Sequence, residues 1–172
     1  MTQRHIYTDG SCLGNPWPWW WAYLIIDDTQ VVIENAGPLS WTTNNQMELY
    51  ACIQALQCIV DHGWSQTLAI CHTDSRYVQQ WLTYLITWKQ NGRRTSNRQP
   101  VKNQALRKCL DTLCQQCQLD RQWVKAHHQN SYNNRVDQLA YRQSYKAQSC
   151  IDQCYLLPDF LKEDQKAFWL FG

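Results

Sequence analysis

Three consecutive strand-like segments, followed by an alternation of helical and strand-like segments, constrain the fold of this chain more than any other feature. The strand-like segments are short runs of β-branched and aromatic side chains bounded by turn residues, whereas from residue 44 onward apolar side chains recur at helical spacing. This order predicts an α/β fold in which a three-stranded antiparallel meander and two parallel strands form a mixed five-stranded sheet flanked by helices. We place the strands at residues 5–8, 21–26, 30–33, 67–71 and 122–125, and the helices near residues 44–61, 77–88, 103–116 and 133–146. The first strand is expected to end at Asp9-Gly10, which is typical of a turn.

The composition is that of one globular domain without a membrane segment. The chain has 172 residues, of which 44% are hydrophobic and 17% are charged, and no apolar run approaches the length of a membrane-spanning helix. The N-terminal residues lack the apolar stretch of a secretory signal, so we expect a cytoplasmic, monomeric protein. Its nine cysteines are then expected to be mostly free thiols. A zinc site is disfavoured because no turn glycines flank the candidate ligands Cys114, Cys117, Cys150 and Cys154.

The basic residues are concentrated in one interval. The net charge is only +2, but half of the 16 Lys and Arg residues lie between Asp74 and Asp111, where no acidic residue occurs. Such a cluster favours binding to a polyanion, although folding could instead bring acidic residues close to it and leave an ordinary solvated surface. The basic residues of this interval are Arg76, Lys89, Arg93, Arg94, Arg98, Lys102, Arg107 and Lys108.

Four acidic residues fall where an α/β sheet places its ligands. Asp9 and Asp74 follow two strands that are predicted to be parallel neighbours, Glu48 lies early in the first helix, and Asp137 lies early in the last one. Adjacent carboxylates repel one another and need a cation between them, and oxygen ligands suit Mg²⁺ or Mn²⁺. Two such ions would form a clamp for phosphodiester hydrolysis, one activating water and the other stabilising the leaving oxygen. The alternative is that each acid only caps a turn or a helix.

At these positions the sequence resembles type 1 ribonuclease H of the bacterial kind. The resemblance rests on six blocks in the order and spacing of that family, and it implies the RNase H-like fold for residues 1–147. It also implies an endonuclease that cuts the RNA strand of RNA–DNA hybrids during replication and leaves 5′-phosphate and 3′-hydroxyl ends. Residues 148–172 would be a tail, either packed or flexible. The blocks are YTDGSCLGNP at 7–16, TTNNQMEL at 42–49, HTDSRYV at 72–78, PVKN at 100–103, WVKAH at 123–127 and NNRVD at 133–137.

The resemblance assigns roles in catalysis. Asp9, Glu48, Asp74 and Asp137 match the carboxylates that bind the metal, and His127 matches a loop histidine associated with proton transfer or product departure. A histidine titrates near neutral pH and can carry protons there, although a lone loop histidine is more often merely exposed.

The resemblance also assigns contacts to the hybrid. In the family, the minor groove of the hybrid, where the 2′-hydroxyl distinguishes RNA from DNA, is contacted at the positions of Cys12, Asn15, Asn44, Asn45 and Gln46. Turn formation at Asn15 and helix capping at Asn44 are the alternatives. Thr43 and Asn103 match a pocket for a DNA phosphate, and residues 89–102 match a basic handle that adds salt-sensitive affinity. Tyr84 either packs against DNA sugars or is buried in the core. The full set is Cys12, Asn15, Thr43, Asn44, Asn45, Gln46, Tyr84, Lys102 and Asn103.

Tryptophans at positions 17, 19, 20 and 81 depart from the family pattern, which has glycines there. Either they are real and a relaxed turn accommodates them, or the source decodes UGA as glycine and the sequence was translated with tryptophan. The chain has 10 Trp and only 6 Gly, where about 12 Gly are usual, which favours the second explanation. If the tryptophans of segment 17–21 displace the neighbouring strand, the alternative function is a hybrid-binding protein with impaired catalysis.

Overall fold

The computed structural model describes residues 3–12, 19–39, 42–90, 102–123 and 130–148. Within these ranges the chain forms five strands and four helices. The strands are β1 (Gln3–Cys12), β2 (Trp19–Asp27), β3 (Gln30–Leu39), β4 (Leu68–Thr73) and β5 (Leu119–Trp123). The helices are α1 (Asn44–Asp61), α2 (Arg76–Gln90), α3 (Gln104–Gln116) and α4 (Ser131–Gln148).

The strands form a single mixed sheet in the order β3-β2-β1-β4-β5. The first three strands are an antiparallel meander, and β4 and β5 add to it in parallel. This arrangement confirms the predicted fold class. The parallel pairing of β1 with β4 ends at Tyr7 and His72, so Asp9 and Asp74 both follow it, at the same edge of the sheet.

The turn predicted at Asp9-Gly10 is wrong, because β1 continues through both residues to Cys12. Gly10 instead allows α1 to approach the sheet closely. A Cβ atom at position 10 would lie 2.7 Å from the Cβ of Met47 and 2.8 Å from the backbone nitrogen of Glu48. Only a residue without a side chain permits this distance. Gly10 therefore marks the close packing of the start of α1 against β1, and not a turn.

Helix α1 begins with a capping box at Thr43, so the alternative of helix capping at Asn44 is wrong. Thr43 is the N-cap, its hydroxyl accepts a hydrogen bond from the Gln46 backbone, and the Gln46 side chain accepts one from the Thr43 backbone N–H. This reciprocal pair satisfies two backbone donors that a helix start otherwise leaves free. The helix ends at Asp61; His62 is the C-cap residue, and Gly63 follows it in the left-handed conformation with φ 69°.

The helices cover both faces of the sheet. Helix α1 packs on β1 and β2, and also contacts α2 and α3, around the larger apolar core. Helix α4 packs on the opposite face, where Val136 and Ala140 contact Tyr7, Leu24 and neighbouring strand residues. No helix within the described ranges is long and apolar enough to span a membrane.

The described tryptophans are accommodated without breaking the sheet. Trp19, Trp20 and Trp21 extend β2 and pair with Cys12, Ser11 and Gly10 of β1. Trp81 lies in α2 and is 1% exposed in the main core. The indole nitrogen of Trp20 is buried and has no hydrogen-bond acceptor within the described ranges. The strand that carries Asp9 therefore keeps its register beside these side chains, while Trp17 lies outside the described residues.

Candidate active site

Three carboxylates from separate elements meet at the edge of the sheet where the parallel pairing ends. Asp9 comes from β1, Asp74 from the connection between β4 and α2, and Glu48 from the first turns of α1. One carboxylate oxygen from each lies within 4.8 Å of the other two. The sequence predicted this meeting of Asp9 and Asp74 from strand order, and the close contact of α1 at Gly10 adds Glu48.

The environment of Asp9 favours its protonated form. Asp9 is 9% exposed. Burial, followed by the charges of Asp74 and Asp137, raises its pKa from 3.8 to about 7. A hydrogen bond with the Asp137 side chain raises the pKa further, while one with the Gly10 backbone lowers it. The fourth predicted carboxylate, Asp137 of α4, is thus close enough to bond to Asp9 and belongs to the same acidic group.

Glu48 supplies an oxygen that lacks a partner. The residue is 6% exposed, and its Oε2 atom is buried with no hydrogen-bond partner within the described part of the chain. Burial, and then the charges of Asp9 and Asp74, raise the pKa of Glu48 well above its usual 4.5. A buried carboxylate oxygen without a donor is costly unless a cation or a proton neutralises it. The acidic group therefore fits a divalent cation with oxygen ligands.

Asn133 holds Asp74 in this group, a role that the sequence analysis did not assign. The Asn133 side chain is 3% exposed, and its Nδ2 donates a hydrogen bond to Oδ2 of Asp74 at 3.2 Å. Its backbone N–H is capped by Oδ1 of Asn130 at 3.1 Å. A sequence signal existed, since Asn133 precedes Asp137 by four residues and therefore shares its face of α4.

Next to the acids, His72 is stacked between two aromatic rings and stays neutral. Its ring lies 4.4 Å from that of Tyr7 and 5.1 Å from that of His5, between ring centroids. Burial, and then the charge of His5, lower the pKa of His72 to about 4. His72 therefore contributes no positive charge to the acidic group near neutral pH.

The comparisons with known proteins agree with this geometry. The RNase H family model matches residues 1–145. A ribonuclease H from Nitrosomonas eutropha is 40% identical over 144 residues, which is 81% of this chain and 88% of the relative. This chain belongs to the RNase H family. It is thus similar to enzymes of the hydrolase class that act as nucleases.

Solved structures show the same fold. LC9-RNase H1, a type 1 RNase H with the type 2 active-site motif, superposes with a TM-score of 0.73 at 25% identity, covering 84% of this chain and 73% of that one. LC11-RNase H1 in complex with an RNA/DNA hybrid superposes with a TM-score of 0.60 at 24% identity, covering 84% and 98%. The second likeness concerns the fold alone.

The residues expected to contact the hybrid in this RNase H are only partly described. Asn44 and Asn45 are exposed at the start of α1, beside Glu48, and Tyr84 is 51% exposed, so core burial of Tyr84 is wrong. Thr43 and Gln46 form the capping box of α1. Asn15, His127, residues 91–101, the tail from residue 149 and the Cys12 side chain lie outside the described residues.

Folding compensates part of the basic interval. The Nζ atom of Lys89 lies 2.6 Å from Oδ1 of Asp111, a carboxylate that is itself 5% exposed. Arg107 is 7% exposed and faces Tyr77 rather than solvent. Folding therefore brings an acidic residue close to Lys89, which confirms for this residue the alternative to polyanion binding. Lys102, at the end of segment 89–102, is exposed.

Proposed function

We propose that this RNase H hydrolyses the RNA strand of RNA–DNA hybrids with Mg²⁺ as its cofactor, leaving 5′-phosphate and 3′-hydroxyl ends. The observation that carries the proposal is the meeting of Asp9, Glu48 and Asp74 within 4.8 Å, with a buried Glu48 oxygen that finds no donor among the described residues. Membership of the RNase H family, with a relative named ribonuclease H at 40% identity, supports the choice of substrate.

The residues that would hold the cation are Asp9, Glu48, Asp74 and Asp137. When bound, divalent cations neutralise the carboxylates and the scissile phosphate and activate water at neutral pH. Mg²⁺ suits an all-oxygen site that leaves positions for water and phosphate, and Mn²⁺ shares these preferences.

The chain's own groups prepare this site. The hydrogen bond from Asn133 holds the Asp74 carboxylate in one orientation. The close contact at Gly10 fixes the position of Glu48 relative to β1. The raised pKa values of Asp9 and Glu48 mean that cation binding must displace protons, so occupancy increases with pH through about 7.

The proposal extends to features that lie beside the acidic group. We assign proton transfer or product departure to His127, minor-groove contacts to Cys12, Asn15, Asn44, Asn45 and Gln46, and phosphate or sugar contacts to Thr43, Tyr84, Lys102 and Asn103. The working unit would be residues 1–147, acting as a cytoplasmic monomer on hybrids formed during DNA replication. Exposed amides next to Glu48 support the minor-groove assignment.

The experiment is cleavage of a hybrid labelled on either strand, with Mg²⁺, by the parent chain, Asp74→Asn and Asp28→Asn. Asp28 is an exposed turn residue with φ 53°, a conformation that asparagine tolerates, so Asp28→Asn is a matched loss of one negative charge. We expect the parent and Asp28→Asn to cut only the RNA strand, and Asp74→Asn to lose cleavage. Cutting of the DNA strand, or full activity of Asp74→Asn, would contradict the proposal.

A further inference from the structure

Asn103 is the N-cap residue of α3 but does not cap it. Its side chain makes no capping hydrogen bond, and its backbone is left-handed with φ 58°. Asparagine at an N-cap ordinarily accepts a hydrogen bond from a backbone N–H of the first turn, which stabilises the helix. Asparagine adopts the left-handed conformation readily, so the missing capping bond is the unusual feature of this residue. The side chain of Asn103 is therefore engaged elsewhere.

That engagement is with the hydroxyl of Tyr77. Asn103 Nδ2 donates a hydrogen bond to the Tyr77 oxygen at 2.8 Å, and Arg107 Nη2 donates a second one to the same oxygen, also at 2.8 Å. The guanidinium of Arg107 also lies 5.2 Å from the centre of the Tyr77 ring. The two donors occupy both acceptor positions of the phenol, which fixes the ring and the amide relative to each other.

The charge of Arg107 acts within the protein. The residue is 7% exposed, so its guanidinium is shielded from a bulky polyanion such as nucleic acid. A hydrogen bond from a charged donor is stronger than a neutral one, and Arg107 is therefore suited to hold Tyr77 in place. Tyr77 is the second residue of α2 and lies three residues after Asp74. The contact therefore connects the start of α3 to the start of α2, the helix that directly follows Asp74 in the chain.

We propose that Tyr77 and Arg107 are positioning residues that hold Asn103 ready to contact the phosphate backbone of the hybrid. This inference rests on the proposed function. The interaction replaces the cap of α3 and holds its left-handed N-cap residue, so the local structure favours the orientation of the amide over the stability of the helix. Asn103 contacts the substrate, whereas Tyr77 and Arg107 act through it.

The test removes one oxygen atom by Tyr77→Phe and compares it with Tyr23→Phe. Tyr23 is a matched control because its hydroxyl also accepts a hydrogen bond from an asparagine, Asn35, at 3.5 Å, within β2 and β3. KM and kcat are measured for hybrid cleavage, and the hybrid Kd is measured by fluorescence anisotropy in the Asp74→Asn background. Asn103→Ala, alone and combined with Tyr77→Phe, completes a double-mutant cycle.

We expect Tyr77→Phe to raise KM and Kd about 2- to 10-fold with kcat unchanged, and to have no further effect in the Asn103→Ala background. Arg107→Gln, which keeps a donor but loses the charge, should raise KM in the same direction; it serves as the second variant if Tyr77→Phe is unstable. Unchanged KM, a fall in kcat alone, or effects that add to Asn103→Ala would each overturn the inference while leaving the proposed function intact. A parent chain that neither binds nor cuts hybrids would overturn both.

Discussion

At the scale of single residues, Asp9 is the group whose protonation most directly reports on the acidic site. Burial and the neighbouring carboxylates raise its pKa from 3.8 to about 7. In the metal-free protein the folded state therefore binds this proton more tightly than the unfolded state. The resulting stabilisation is complete below about pH 4 and is lost as the pH rises through about 7.

Replacing Asp9 by asparagine should remove this pH dependence. We expect the free energy of unfolding of Asp9→Asn, relative to the parent, to increase by about 2 kcal/mol between about pH 5.5 and about pH 8. The measurement is urea denaturation in EDTA across this range, with Asp28→Asn as the control that keeps the parent profile. Parallel profiles for the parent and Asp9→Asn would show that Asp9 does not titrate in this window.

Asn133 allows a second test at the residue scale. Among the described contacts, its Nδ2 atom reaches the acidic group only through the hydrogen bond to Asp74. Loss of a hydrogen bond to a metal ligand commonly costs about 10- to 100-fold in cation affinity. We expect Asn133→Ala to raise the Mg²⁺ concentration for half-maximal cleavage by about 10-fold or more. An unchanged Mg²⁺ dependence would show that Asp74 keeps its orientation without this contact.

At the scale of elements, the contact of α1 with β1 decides where Glu48 lies. Gly10→Ala would place a methyl group within 3 Å of the Cβ of Met47 and of the backbone at Glu48. We expect α1 to shift outward, with a loss of about 1–3 kcal/mol in unfolding free energy. Cleavage should fall as well, because Glu48 moves with the helix. Chemical denaturation and a cleavage assay check both effects, and an unchanged kcat in a destabilised variant would contradict the positional role of Gly10.

The elements also show what the sequence can and cannot predict. Strand order and helical spacing predicted the sheet and the edge where Asp9 and Asp74 meet, because both follow from periodicity and chain topology. The role of Gly10 was misread, since a glycine required for close packing has the same sequence as a turn glycine. The hydrogen bond between Asn103 and Tyr77 joins residues 26 positions apart, so no local sequence pattern predicts it. An asparagine at the start of a helix indicates a capping bond instead, and Asn103 does not make one.

At the scale of the whole molecule, the four tryptophans at family glycine positions bear on what the native chain contains. The indole nitrogen of Trp20 is buried and has no acceptor within the described residues, which is costly for a tryptophan. A glycine at this position would avoid that cost. We expect UGA codons at positions 17, 19, 20 and 81, and glycine in peptides of the native protein analysed by mass spectrometry. UGG at all four positions would contradict this explanation.

The molecule as a whole places the exposed amides of Asn44 and Asn45 beside the acidic site at the sheet edge. The chain topology brings the amides and the carboxylates together. The basic interval of the sequence does not by itself show which positive charges face solvent, since Lys89 is compensated by Asp111 and Arg107 is buried. What sets the activity is the cation site, because the acids would repel a polyanionic substrate without it.

The most direct test of this account is single-turnover cleavage of an RNA–DNA hybrid across Mg²⁺ concentrations by the parent chain and Glu48→Gln. Glu48→Gln keeps the shape of the side chain and removes the charge of the carboxylate, whose Oε2 atom has no donor within the described residues. We expect parent cleavage to require Mg²⁺ and to saturate, and Glu48→Gln to lose at least about 100-fold in rate at every Mg²⁺ concentration, with hybrid Kd unchanged. Cleavage by the parent in EDTA, or a parental rate from Glu48→Gln, would contradict the account.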